Sequence, residues 1–241
     1  MYNTLGHSIY NADASEIHNC IAENLVMDTQ KSWSMLNTDQ YPGSIWLRHP
    51  NNIVRDNHVA GSDSYGFVYD LPDSSSGVLD DPNICPNYAN LGEFHGNVAH
   101  SNGRYGLFLK SNFSPRQYPC LDMDDKFDGT DPDNYGVEHH RRLLSDSFNP
   151  PVTATFDEFT SYKNGRNGVM AVSVGSVHFV DTKTADNIEA GIEVHDCGTV
   201  PHGFAKIDGG VYIGKTSNTE TALDEAAPVG IWMPSSDNFH V

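Results

Sequence analysis

Four groups of residues in this 241-residue chain have the types and spacing that chemistry needs. The first is the run CLDMDDKFDGTDPD, which places Asp122, Asp124, Asp125, Asp128, Asp131 and Asp133 within a dozen residues. Oxygen donors at that density suit Ca2+, with Asp122, Asp124, Asp125 and Asp128 as the candidate ligands. The run is not an EF-hand, because counting from Asp128-Gly129 puts Lys126 and Tyr135 where ligands belong. A solvated acidic loop is the competing reading.

The second group is Asp56, Glu158 and Asp181, each ten residues before a recurrent glycine. Acids stacked on one exposed strand face could serve as the acid and base of polysaccharide cleavage. The simpler reading is an inert, solvated column. The third group is the basic cluster His139-His140-Arg141-Arg142, which could meet a sugar carboxylate or a partner protein. The other histidines lack zinc-site spacing, and His49, His95 and His100 read as corner residues satisfied by backbone groups. The fourth, GGVYIGKT (Gly209 to Thr216), fits the letter of a phosphate loop. That motif needs a flexible loop opening into a helix, whereas Val211-Tyr212-Ile213 signals a strand ending in a turn.

Composition limits the partners. Fourteen Lys plus Arg against 32 Asp plus Glu give a formal charge of −18, which repels nucleic acids, anionic membranes and sulfated glycans over most of the surface. No apolar run approaches the roughly 20 residues that span a bilayer, and MYNTLGHSIY lacks the basic and apolar regions of a signal peptide. Direct membrane insertion is therefore not expected.

The elements that must position these groups come from an internal repeat. Gly66, Gly106, Gly168, Gly191 and Gly230 are each followed by apolar residues at +1 and +3, with Gly6 and Gly43 as weaker members. The gaps are 37, 23, 40, 62, 23 and 39, so a 23-residue unit recurs with added loops. Val54, Phe94, Phe156 and Phe179 stand twelve before the glycine, and Ser62, Asn102, Asn164 and Asn187 four before it. Short runs of period-2 alternation, with Gly or Asn supplying positive φ at the bends, predict an all-β chain: a right-handed parallel β-helix of the pectin-lyase-like kind with about seven rungs. The phenylalanines should stack inside it and the asparagines should form an amide ladder at a corner.

Residues 1–241 are expected to form one β-helix domain with insertions at about 70–90, 111–151 and 196–228, all leaving along one edge. Met1 falls inside a repeat, so a piece of a longer chain is expected. Cys85 and Cys120 lie in insertions from consecutive rungs, and a disulfide between them is expected, whereas Cys20 and Cys197 stand too many rungs apart to pair. Asn112-Phe113-Ser114 is the one N-glycosylation sequon, with Pro115 behind it.

The segments YNTLGHSIY, IWLRHPNN followed by VAGSDSYGFVYDLP, LGEFHGNVAHSNGRYGLFL and YPCLD resemble the right-handed β-helix region of the fibrocystin, fibrocystin-like and cell-surface hyaluronidase (hyaluronan-binding) group. The resemblance is dense from Tyr2 to Asp122 and thin beyond Gly129. It implies a glycoprotein at the cell or cilium surface or outside the cell, in a group with both hyaluronan-degrading and structural or receptor-like members. The expectation is a non-catalytic structural or interaction module that binds protein or glycan through edge loops, with further β-helix chain or identical copies at its open ends and filament assembly as one outcome. The alternatives are a polysaccharide hydrolase or lyase of the hyaluronidase kind using Asp56, Glu158 and Asp181, and a Ca2+-dependent carbohydrate-binding domain.

Overall fold

The structure is a computed structural model and describes residues 1–33, 37–77, 81–120, 149–197, 204–217, 228–235 and 239–241. The chain winds through three parallel sheets of seven strands each. Sheet A comprises β1 (Tyr2–Leu5), β4 (Leu25–Gln30), β7 (His58–Ala60), β10 (Val98–His100), β13 (Thr160–Tyr162), β16 (Lys183–Ala185) and β19 (Val211–Ile213). Sheet B comprises β2 (Ile9–Tyr10), β5 (Gly43–Leu47), β8 (Tyr65–Tyr69), β11 (Tyr105–Phe113), β14 (Val169–Val174), β17 (Ala190–Asp196) and β20 (Val229–Trp232). Sheet C comprises β3 (Cys20–Ala22), β6 (Ile53–Arg55), β9 (Glu93–His95), β12 (Ala154–Asp157), β15 (Val177–Val180), β18 (Ala205–Asp208) and β21 (Phe239–His240). This is a seven-rung parallel β-helix, as the repeat predicts.

The register follows the repeat. Phe94 pairs with Phe156 and Phe156 with Phe179, and their rings stack at centroid distances of 5.0 and 5.6 Å. Phe67 and Phe159 join them edge-on, 5.5 Å from Phe94. All five rings are buried. Parallel, in-register pairing brings identical positions one strand spacing apart, so a residue type repeated in sequence becomes a continuous column in space.

The recurrent glycines have a different reason from the one expected. Gly66, Gly106, Gly168 and Gly191 do not adopt positive φ. A Cβ on Gly66 would lie 2.5 Å from the Gly106 carbonyl oxygen, and one on Gly168 or Gly191 equally close to that of Gly191 or Gly230. Each of these glycines packs against the backbone of the next, and close approach rather than turn geometry excludes side chains.

The bends carry the positive φ instead. Between sheets C and A, Glu23, Asp56, Gly96, Glu158, Asp181 and Gly209 all have φ between 46° and 68°. Gly61, Ser101, Lys163 and Asp186 have φ between 54° and 69° between sheets A and B, and Asp28 has φ 59° within β4. At several of these bends the residue that follows is an Asn whose side chain caps the bend. In the A-to-B column Asn102 Oδ1 accepts the Ser62 N–H, Asn164 Oδ1 accepts both the N–H and the side-chain amide of Asn102, and Asn187 Oδ1 does the same for Asn164. A second ladder, not foreseen, runs Asn24, Asn57, Asn97 at the C-to-A bend, with bonds of 2.9 to 3.1 Å. It stops at the next rung, where Phe159 takes the equivalent place and joins the ring stack.

The expected insertions are partly redrawn. Residues 70–92 and 114–153 do leave sheet B and rejoin at sheet C. The third expected insertion, 196–228, is not a single loop: β18 and β19 lie within it and complete a rung, so it divides into a segment after β17 and another before β20. Its β19 contains Val211-Tyr212-Ile213, the strand that the phosphate-loop letters conceal. No helix among the described residues is long and apolar enough to cross a membrane.

Candidate functional site

The three candidate acids do not lie on a strand face. Asp56, Glu158 and Asp181 occupy the positive-φ turn between sheets C and A, where each side chain projects from a bend. Gly96 interrupts the column between Asp56 and Glu158, and Gly209 follows Asp181. A Cβ on Gly96 would meet Asp56 Oδ1 at 2.6 Å, and one on Gly209 would meet Asp181 Oδ1 at 2.5 Å. The acids thus lean over glycines in the next rung, and the absence of a side chain there makes room for them.

Around Gly96 this corner gathers charge. Arg55 Nη1 donates to Asp56 Oδ2 at 2.9 Å and lies 3.6 Å from Glu23 Oε1. His95 Nδ1 is 2.9 Å from Asp157 Oδ2, and its Nε2 is 4.0 Å from Glu158 Oε2. The hydrogen bond to Asp157 holds the His95 imidazole above its ordinary range. The groups are 37 to 74% exposed, so they face bulk water, where ion pairs contribute about 0 to 1 kcal/mol. Among the described residues no set of three or more His, Cys, Asp or Glu side chains could hold a metal. The acidic run with Asp122, Asp124, Asp125 and Asp128, and the basic cluster His139, His140, Arg141 and Arg142, lie outside the described residues.

Of the three histidines expected at corners, only His49 behaves as expected: it is buried, and its Nδ1 accepts the Asn51 N–H at 3.1 Å. His95 and His100 face outward. His100 bonds Ser101 and stacks on Tyr162 at 4.5 Å. His7, which the spacing does not single out, is also enclosed, its side chain 2% exposed. It packs against Tyr10 and Trp46 and accepts the Gly43 N–H at Nδ1.

Two loop expectations hold. Cys85 and Cys120 form a disulfide across the loops that leave β8 and β11, while Cys20 is exposed and Cys197 buried, outside that bridge. The two loops are further joined to each other, with the Ser114 N–H donating to the Asn87 carbonyl and the Arg116 N–H to that of Tyr88. Asn112 sits on β11, half-buried, and its Oδ1 accepts from the Ser114 hydroxyl at 3.1 Å.

Beside these loops the outer face of sheet B carries a shelf of rings. Trp46, Tyr65 and Val68 are its buried floor, with Tyr10, Tyr105 and Phe108 packed against them. Lys110 Nζ lies 5.2 Å over the Trp46 ring and pairs with Asp70 at 3.0 Å. At the margin Arg104 lies over Tyr41. Individually these residues read as ordinary strand positions. The one signal in the sequence is the Tyr, Gly, apolar, apolar pattern shared by YGFVY and YGLFL, which parallel pairing turns into adjacent aromatic pairs.

The comparisons with known proteins agree with this architecture. Residues 1–107 match the family model described as CEMIP beta-helix. The chain is 31% identical over 193 residues to fibrocystin-L of Mus musculus, a match covering 80% of this chain and 4% of that protein. It is 29% identical over 224 residues to the cell surface hyaluronidase CEMIP2 of Homo sapiens, covering 77% and 15%. Against the cell migration-inducing and hyaluronan-binding protein of Homo sapiens it is 25% identical over 263 residues, covering 97% and 18%. The chain thus spans under a fifth of each of these relatives. Over residues 1–107 the chain is thus similar to the CEMIP β-helix family, and the remaining rungs continue the same parallel β-helix.

Proposed function

We propose that the chain is a non-catalytic extracellular module, part of a cell-surface protein, that contacts glycans or partner proteins along the edge of sheet B. One observation carries this reading: a shelf of outward rings on sheet B stands beside two long loops tied by a disulfide. Aromatic faces beside polar and basic groups are what sugar and protein contacts use, and a disulfide belongs to an oxidising compartment. Relatives named cell surface hyaluronidase and hyaluronan-binding protein make hyaluronan the first glycan to try. In this reading the rod is continued by further β-helix or a second copy, and sedimentation at rising concentration tests the latter.

The enzymatic reading keeps a foothold in one cluster, His95 with Asp157 and Glu158, where a histidine sits between two carboxylates. Its members are solvent-exposed and satisfied by one another rather than aimed into a cleft, which favours the binding module. Incubating the chain with hyaluronan, with and without Ca2+, and sizing the polymer separates the two. Retention of the polymer without shortening is expected. Depolymerisation that disappears in Asp56→Asn, Glu158→Gln or Asp181→Asn would establish the enzyme instead.

A further inference from the structure

The bend between sheets A and B holds two arginines that neither the acid column nor the edge loops account for. Arg104 and Arg166 occupy equivalent places in successive rungs, the Arg166 N–H donating to the Arg104 carbonyl at 2.8 Å. Their backbones are thus about 4.8 Å apart. Each guanidinium has a tyrosine of the preceding rung beside it: Arg104 Nη1 donates to the Tyr65 hydroxyl at 3.3 Å, and Tyr105 together with Glu189 favours the charged form of Arg166. Arg104 Cζ also lies over the Tyr41 ring, 4.4 Å from its centroid. Tyr65 and Tyr105 are themselves stacked, 5.7 Å apart and 20° from parallel. The two arginines are therefore held by a repeating tyrosine scaffold rather than left to wander.

Two guanidinium groups carried on adjacent rungs repel each other, the more so where solvent is partly excluded. Glu189, 3.8 Å from Arg166 Nε, offsets part of this, but no carboxylate among the described residues forms an ion pair with Arg104. A guanidinium stacked on a ring keeps its in-plane N–H fork available for a planar anion. Next to the pair, Phe108 lies 4.9 Å from Tyr105 with its ring tilted by 56°, and the two half-buried rings form an apolar surface.

We propose that Arg104 and Arg166 form a binding site for the carboxylates of an acidic saccharide, with Tyr105 and Phe108 taking the apolar face of a sugar ring. The proposal rests on the module reading above and places its glycan contact on the rod itself rather than in the loops. A saccharide fits better than an acidic peptide because the arginines follow the rod axis at one-rung intervals beside a ring-sized floor, which suits acids repeated along a chain of rings. The surrounding charge of −18 disfavours long polyanions, so short oligomers are the proper probe.

The test is titration of the full chain with trigalacturonate, with the same trimer reduced at its carboxyl groups, and with hexa-aspartate, read by calorimetry and by the arginine Nε NMR signals. Trigalacturonate should bind at least tenfold more tightly than the reduced trimer and shift both arginine signals. The double variant R104Q/R166Q should lose at least tenfold, R104K/R166K should lose part because lysine lacks the fork, and Lys206→Gln should be neutral. Circular dichroism melts of each variant show whether it has folded, and the lysine pair covers the case in which the glutamine pair has not. Equal binding of charged and reduced trimers, or full binding by R104Q/R166Q, would overturn the proposal while leaving the module reading intact. Stronger binding of hexa-aspartate would replace the saccharide with an acidic peptide. Failure of all three probes here, together with no retention of hyaluronan, would remove both.

Discussion

Acid should weaken this fold through two buried histidines. His7 and His49 are each pushed down from 6.5 to about 4 by burial. Their geometry agrees: His7 Nδ1 accepts the Gly43 N–H and its Nε2 meets the Thr38 hydroxyl, while His49 Nδ1 accepts the Asn51 N–H. Protonating Nδ1 would set one N–H against another. Asp39, 3.8 Å from His7 Nε2, favours the charged ring but does not outweigh desolvation. Because the folded pKa lies below the unfolded one, the unfolded chain binds more protons as pH falls through 6.5, and stability drops until about pH 4 is passed. At pH 5 each histidine should cost about 2 kcal/mol, and the pair about 4, relative to pH 7.5. Urea unfolding followed by tryptophan fluorescence between pH 7.5 and 5 measures this, and the variant H7N/H49N, which keeps an acceptor at each place, should lose most of the dependence. A stability flat over this range, or a double variant as acid-sensitive as the parent, would refute the reasoning.

Other expectations follow from the columns. Phe156→Ala removes the ring at the centre of the stack and should cost about 3 to 5 kcal/mol, measured by the same unfolding curves. Asn164→Ala leaves the buried Asn102 N–H without its acceptor, at about 1 to 3 kcal/mol for that group and more for the ladder. Gly106→Ala should be worse than its size implies, because its Cβ would fall on Ser161 Oγ and 2.7 Å from the Gly168 carbonyl oxygen; insoluble or unfolded protein on expression is the expected result, and a normal melting temperature would contradict the close-approach argument. Reducing Cys85–Cys120, which closes a 35-residue separation, should cost about 4 kcal/mol by loop entropy and loosen the loop edge first, visible as faster amide exchange at residues 81–90.

The sequence by itself determined the rod. Periodicity is local information, and in a parallel in-register stack a column in space is a recurrence in sequence, so Phe94, Phe156 and Phe179, the Asn102 ladder and the number of rungs could be read directly. Cys85 and Cys120 followed by the same arithmetic, since consecutive rungs bring their insertions to one edge. Only the tertiary structure decided what each phase of the repeat faces. The spacing that aligned Asp56, Glu158 and Asp181 could not tell a strand position from a positive-φ bend, and that difference turns a catalytic face into an exposed corner. It also could not separate a glycine needed for its φ from Gly66 or Gly168, kept bare by a neighbouring carbonyl. The Arg104 and Arg166 pair was silent in sequence because the two positions are 62 apart with a whole insertion between them, and only winding the chain once around the rod brings their backbones together.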